Sequence, residues 1–117
     1  MIQDRLDKIE ERLKQSHAVK ESDKVELLNL LKTLRTEITD LSKTRHEQAE
    51  SIAGFAELSA REATRREKNP DLFNLSLAGL TSSVQDFEIS HPQLVEIINR
   101  FCTMLSNLGI QSHSSGN

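Results

Sequence analysis

Apolar residues in this chain recur at spacings of three and four, and each run of them forms one stripe with no second apolar face. Ile2, Leu6, Ile9 and Leu13 make the first stripe. Leu27, Leu31, Leu34, Ile38 and Leu41 make the second. Phe73, Leu77, Leu80, Val84 and Phe87 make the third, and Leu94, Ile98, Phe101, Leu105 and Leu108 the fourth. That period is the signature of amphipathic α-helices. A helix with one apolar stripe is marginal alone in water. The stripes therefore have to be buried on one another, on a second copy, or on a partner.

Composition points the same way. Only 36% of the 117 residues are apolar, and there is no Trp or Tyr and only four Phe. That supply is thin for a thick core and suits helices that each bury a narrow, coiled-coil-like seam. Four Gly and two Pro leave few turns, hence few and long elements.

The expected class is all-α, with four helices at about 2–16, 23–67, 70–88 and 91–108. Asp23 followed by Glu26 resembles a capping box at the start of the second helix. No proline interrupts residues 23–67, so one long helix is predicted there, about 65 Å if unbroken. Its heptad phase passes through Arg45 and Gln48 before reaching Ile52 and Phe55, which makes the polar middle the place for a bend. The run Ser51-Ile52-Ala53-Gly54-Phe55-Ala56 is rich in small residues, and close helix packing would account for Gly54. Asn69-Pro70-Asp71 supplies an N-cap, a first-turn proline and a dipole-matched acid for the third helix.

Residues 87–98, FEISHPQLVEII, read as the start of the fourth helix. With Ser90 as N-cap, Gln93 completes a capping box, and Ile89 with Leu94 forms a hydrophobic staple. The unbroken heptad phase through Phe87, His91 and Leu94 would suit one kinked helix, but the caps favour a break. Gly109 is placed to end the helix, with Ile110 folding back onto Leu105. Residues 1–110 form one expected domain, and the tail 111–117 is expected to be disordered.

The expected packing sets the first helix on the first half of the long helix. The third and fourth helices return antiparallel along its length. The end around Ile52 and Phe55 is then left as a two-helix layer. Its open apolar surface motivates self-association, most simply a two-fold homodimer, with a higher homo-oligomer or a protein partner as alternatives.

Functional motifs are sparse. His46-Glu47-Gln48-Ala49-Glu50 lacks the second histidine of a zinc helix and reads as a solvated His46–Glu50 pair. Glu88 to His91 has the E-x-x-H spacing of di-iron bundles, but in a single copy across a helix break. Cys102 and His91 lie eleven residues apart, about 16 Å along one predicted helix, too far to act together, so Cys102 reads as a packed free thiol. Arg61, Arg65, Arg66 and Lys68 cluster, with Glu62 and Glu67 interleaved and no aromatic nearby for base stacking. There is no Gly-rich phosphate loop. No catalytic residue, metal or cofactor is expected.

The net charge of −3 with interspersed signs gives no strong overall field toward nucleic acid or membrane. A charged N-terminus unlike a signal peptide, one cysteine and no long apolar run indicate a cytoplasmic protein.

Phe87-Glu88, Ser90-His91-Pro92, Leu94, Asn99 and the ending Leu105-Ser106-Asn107-Leu108-Gly109-Ile110, together with Leu27–Leu41, resemble a bacterial family of short helical proteins catalogued only as a domain of unknown function. The resemblance covers roughly residues 1–42 and 71–110, with the middle looking like an insertion. It implies a soluble helical protein and carries no site residues. The first expectation for function is a non-catalytic interaction or scaffold protein that self-associates, its surface including Ile52, Gly54, Phe55, Arg61, Arg65 and Arg66. The second is a nucleic-acid accessory protein using the Arg61–Lys68 face. The third is a metal-dependent helical enzyme.

Overall fold

The four stripes fold against each other within one chain. Ile2, Leu6, Ile9 and Leu13 are buried, as are the five stripe residues from Leu27 to Leu41 and the five from Leu94 to Leu108. Leu80, Val84 and Phe87 are buried too, with Phe73 and Leu77 packed at the edge of the same core. A computed structural model describes the backbone of residues 2–114 and the side chains of residues 2–108. It is all-α, with no strand among the described residues. The elements are α1 (Ile2–Gln15), α2 (Glu21–Ser42), α3 (His46–Ala63), α4 (Pro70–Val84), a 3₁₀ turn (Gln85–Phe87) and α5 (Pro92–Ser114).

The main departure from expectation is the long helix. Residues 23–67 are not one rod but a hairpin, α2 and α3, so the described residues form five α-helices and not four. The molecule measures 46 Å along its longest axis, too short for an unbroken helix of about 65 Å. The chain leaves helical geometry at Arg45, with φ −136° and ψ 66°. Neither glycine nor proline is involved. The amides of Thr44 and Arg45 both donate to the Leu41 carbonyl, at 3.1 and 2.8 Å. The Ser42 hydroxyl donates to the Thr39 carbonyl at 2.6 Å. Backbone amides of the turn and the Ser42 hydroxyl thus satisfy carbonyls at the end of α2. The cause is the stretch of seam positions at Arg45 and Gln48, both exposed. With no apolar residue to bury there, a straight helix gains nothing from continuing.

Reversing the chain brings α3 into the middle, where it packs on α1, α2, α4 and α5. Its inward residues are Ala49, Ile52, Ala53, Ala56, Ser59, Ala60 and Ala63, nearly all small. Small residues let helix axes approach closely. α1 docks on both α2 and α3, and α5 on α2, α3 and α4. The loop between α1 and α2 is pinned by buried Val19.

Helix ends divide into those the local code specifies and those it does not. Asn69 caps α4 as expected: its Oδ1 accepts from the Leu72 amide at 3.1 Å, with Pro70 following. α2 starts at Glu21 with Lys20 at the cap and no side-chain cap bond, so the Asp23–Glu26 box is not used. A break does separate α4 from α5, but α5 begins at Pro92, one residue later than a Ser90 cap requires. The Ser90 hydroxyl instead meets His91 Nδ1 at 2.9 Å. Ile89 is 96% exposed, so no staple onto Leu94 forms. The His91 ring stands edge-on to Phe87, 5.8 Å between centroids.

At the far end, helical backbone runs through Gly109 to Ser114, so Gly109 does not end α5. The expected contact of Ile110 with Leu105 lies outside the described side chains. Of the expected disordered tail, residues 111–114 are helical and 115–117 lie outside the described residues. Among the described residues, no helix is long and apolar enough to cross a membrane.

Because Asn69 makes a cap bond and Ser90 does not, Asn69→Ala should lower unfolding stability by about 1 kcal/mol. Ser90→Ala should stay within about 0.5 kcal/mol of the parent, as surface changes do. Urea unfolding monitored by circular dichroism measures both.

Candidate functional site

α1 has two flanks beside its buried stripe, and they carry different charges. One presents Gln3, Asp7 and Glu10 to Arg35 of α2. Arg35 Nη2 lies 2.8 Å from Asp7 and 3.5 Å from Glu10, and Nη1 donates to Gln3. Lys14 closes on Glu10 at 2.8 Å, and its hydrogen bond, with Arg35 nearby, holds the Glu10 carboxyl below the usual carboxylate range. The other flank carries Arg5, Lys8 and Arg12 at spacings of three and four, facing α3.

That basic flank forms one wall of an open groove of about 1140 Å³. The other wall is the C-terminal half of α3 with the segment after it: Glu57, Arg61, Thr64, Arg65, Arg66 and Lys68. Residues 15–18 and Lys20, around the α1–α2 loop, close one end. Seven Lys and Arg side chains line the groove against two carboxylates, Glu11 and Glu57. The chain as a whole has a net charge of −3, so positive charge is gathered in the groove and the remaining surface is acidic.

α3 buries two carboxylates beside these cations. Glu57 is 9% exposed and Glu62 3%. Glu57 accepts from Arg5 Nη1 at 3.0 Å and has Arg61 Nη2 at 3.6 Å. Glu62 accepts from Arg65 Nη1 at 3.0 Å. Burying a carboxylate is unfavourable unless it is paired, and here each buried acid holds a partly exposed guanidinium at the groove. Lys68 bends back to donate to the Ala63 carbonyl at the end of α3. Partial burial pushes the Lys68 ammonium below the usual lysine range.

The residues expected at an interaction surface separate into two groups. Arg61, Arg65 and Arg66 do come together, in the groove. Ile52 does not belong to a surface, because it is fully buried. The open two-helix layer that motivated self-association is absent: α4 and α1 cover that part of α3. Phe55 is 37% exposed and lies against α4 at Gly79. A Cβ at Gly79 would come within 2.4 Å of the Phe55 ring, so it is Gly79 that close packing requires. A Cβ at Gly54 would meet only the Arg5 guanidinium, at an ordinary 3.7 Å. Close packing therefore does not explain Gly54.

Lys8, Arg12 and Lys20 were not singled out by sequence. Their signal was the spacing of Arg5, Lys8 and Arg12 along one flank of the first stripe, but which helix that flank would face depended on the α2–α3 hairpin.

The other candidate residues lie apart from this groove. His46 pairs with Glu50 at 3.2 Å on the outer face of α3. Cys102 is a half-buried free thiol, with Thr81 Oγ1 3.9 Å away, and burial raises its pKa. Glu88 is exposed, at the edge of a second and shallower groove of about 670 Å³ between α2 and α5.

Residues 2–110 match the family model described as "Domain of unknown function (DUF4404)". The chain belongs to this family. The match includes the middle segment and so spans every helix that builds the basic groove of this DUF4404 protein. No curated protein and no solved structure matches the chain.

The two glycines give opposite predictions. Gly54→Ala should stabilise the fold by up to about 1 kcal/mol, because alanine favours a helix and the site has room. Gly79→Ala should destabilise it by displacing Phe55. In a Phe55→Ala background, Gly79→Ala should turn stabilising. Chemical denaturation of the four proteins measures the change of sign.

Proposed function

We propose that this DUF4404 protein is a non-catalytic helical interaction module that binds an anionic partner in the basic groove between α1 and α3. The observation that carries this reading is the convergence of seven cations from three chain segments in one concave surface of an acidic chain. Like charges repel, and gathering them without an anion weakens the fold. A bound polyanion would offset that repulsion. Nucleic acid is one such polyanion, and the groove offers it phosphate contacts without an aromatic side chain for bases. The single, half-buried cysteine fits a reducing, cytoplasmic setting.

Retention on an immobilised sulfated polysaccharide at low salt, with elution as salt rises, tests the reading. Arg12→Glu with Arg66→Glu changes two exposed groove cations and should abolish retention while leaving the helical circular dichroism intact. No retention of the parent, or equal retention of the charge-reversed protein, would count against the groove.

A second reading, self-association, is favoured by the groove between α2 and α5. Glu26, Glu88 and Glu96 line it against one cation, Arg100. Its charge complements that of the basic groove, so one copy would dock on the next in a head-to-tail contact. Apolar stripes do not drive this contact, since they are buried within each chain. Sedimentation velocity should then show oligomers at low salt that dissociate at high salt; a monomer throughout rejects it.

A further inference from the structure

The two buried carboxylates of α3 say more about the groove's ligand than the cations alone. Glu57 and Glu62 lie five residues apart on α3, at 9% and 3% exposure. Between them they hold Arg5, Arg61 and Arg65, at 3.0, 3.6 and 3.0 Å, while these arginines remain 42–50% exposed. A guanidinium has five N–H donors in a rigid fork. Arg5 and Arg65 each commit an N–H to a carboxylate oxygen, and Arg61 is drawn to Glu57 as an ion pair at 3.6 Å. The rest of each fork is offered outward with less freedom left to lose on binding. A groove meant only to be positive would do better without buried acids. Buried acids that fix arginine forks favour a ligand with discrete oxyanions of defined geometry.

The groove is also short. Its α1 wall, residues 8–15, is about 12 Å long. The rest of the chain is net acidic, since the whole carries −3 despite the groove's cations, so a long polyanion gains little further attraction beyond the groove. Its lining includes no Phe, and the chain has no Trp or Tyr, so recognition would fall on phosphate and not on a stacked base.

We propose that the groove takes a compact ligand carrying several phosphate groups, gripped by Arg61 and Arg65 with Arg12 opposite, and that Glu57 and Glu62 are positioning residues for those arginines. This rests on the anion-binding reading above and narrows it.

Isothermal titration of the full chain with sodium tripolyphosphate tests it, with a 20-base-pair DNA duplex and inorganic monophosphate titrated in parallel. Tripolyphosphate should bind, and more tightly than monophosphate. Binding should weaken about tenfold or more in Glu62→Gln, the worth of one charge-assisted hydrogen bond. The direction is decisive. Removing a carboxylate makes the groove more positive, so simple charge attraction predicts tighter binding, whereas lost positioning predicts weaker binding. Arg65→Lys keeps the charge and removes the fork, and should weaken binding to a similar extent. It stands in should Glu62→Gln fail to fold.

Unchanged or tighter binding by the folded variants would overturn the positioning role. Binding to monophosphate as tight as to tripolyphosphate would overturn the recognition of several phosphates. A duplex that binds where tripolyphosphate does not would overturn the compact ligand and leave the anion-binding groove standing. If no titrant binds, both proposals fall.

Discussion

The architecture depends on α3 being thin. A helix touched by four others has little room for side chains, and α3 meets that demand with Ala49, Ala53, Ala56, Ser59, Ala60 and Ala63 on its buried faces. Ile52 is the one large apolar side chain fully enclosed there. Larger residues at the alanine positions would push the outer helices apart and open their leucine seams, since cores tolerate added volume poorly. The same economy appears where α3 meets α4, with Phe55 set against Gly79 and no room for a Cβ between them. One small cost is visible. The buried Ser59 hydroxyl has no hydrogen-bond partner, a loss accepted where a larger apolar residue would not fit.

The position of α3 also organises the charges. α1 lies across the α2–α3 hairpin, so its acidic flank meets Arg35 of α2 and its basic flank meets α3. The C-terminal half of α3 then adds Arg61 and Arg65, each held by a carboxylate buried at its own level. Packing and electrostatics are thus joined in one element. The residues that let α3 sit at the centre are interleaved with those that make its outer edge basic.

Individual positions show where sequence reasoning succeeds. Leu27, Leu31, Leu34, Ile38 and Leu41 are all buried as their spacing indicated, because helical period and burial are linked by geometry alone. Asn69 caps α4 as expected, because a cap uses atoms only three residues apart. Ser90 had the same local credentials and does something else. Its hydroxyl turns to the His91 ring, and α5 starts at Pro92 because a proline disfavours helical geometry at the residue before it, His91. The turn at Lys43–Arg45 carries no breaker residue. It exists because two halves of an apparent rod bury more surface folded together than extended, a comparison no local pattern contains.

By itself the sequence determined the helical class, the buried face of nearly every helix and the cap at Asn69, all of which follow from spacings of a few residues. It also contained every charge in the basic groove. Only the tertiary structure decided that Arg12 and Arg61, forty-nine positions apart, face the same space, that Ile52 is core, and that Glu57 and Glu62 lie buried beneath their arginines. The physical reason is that helix formation and capping are settled by near neighbours. Which charged flank looks outward and which meets another helix is settled by how the chain reverses, and that depends on the total surface buried by the whole fold.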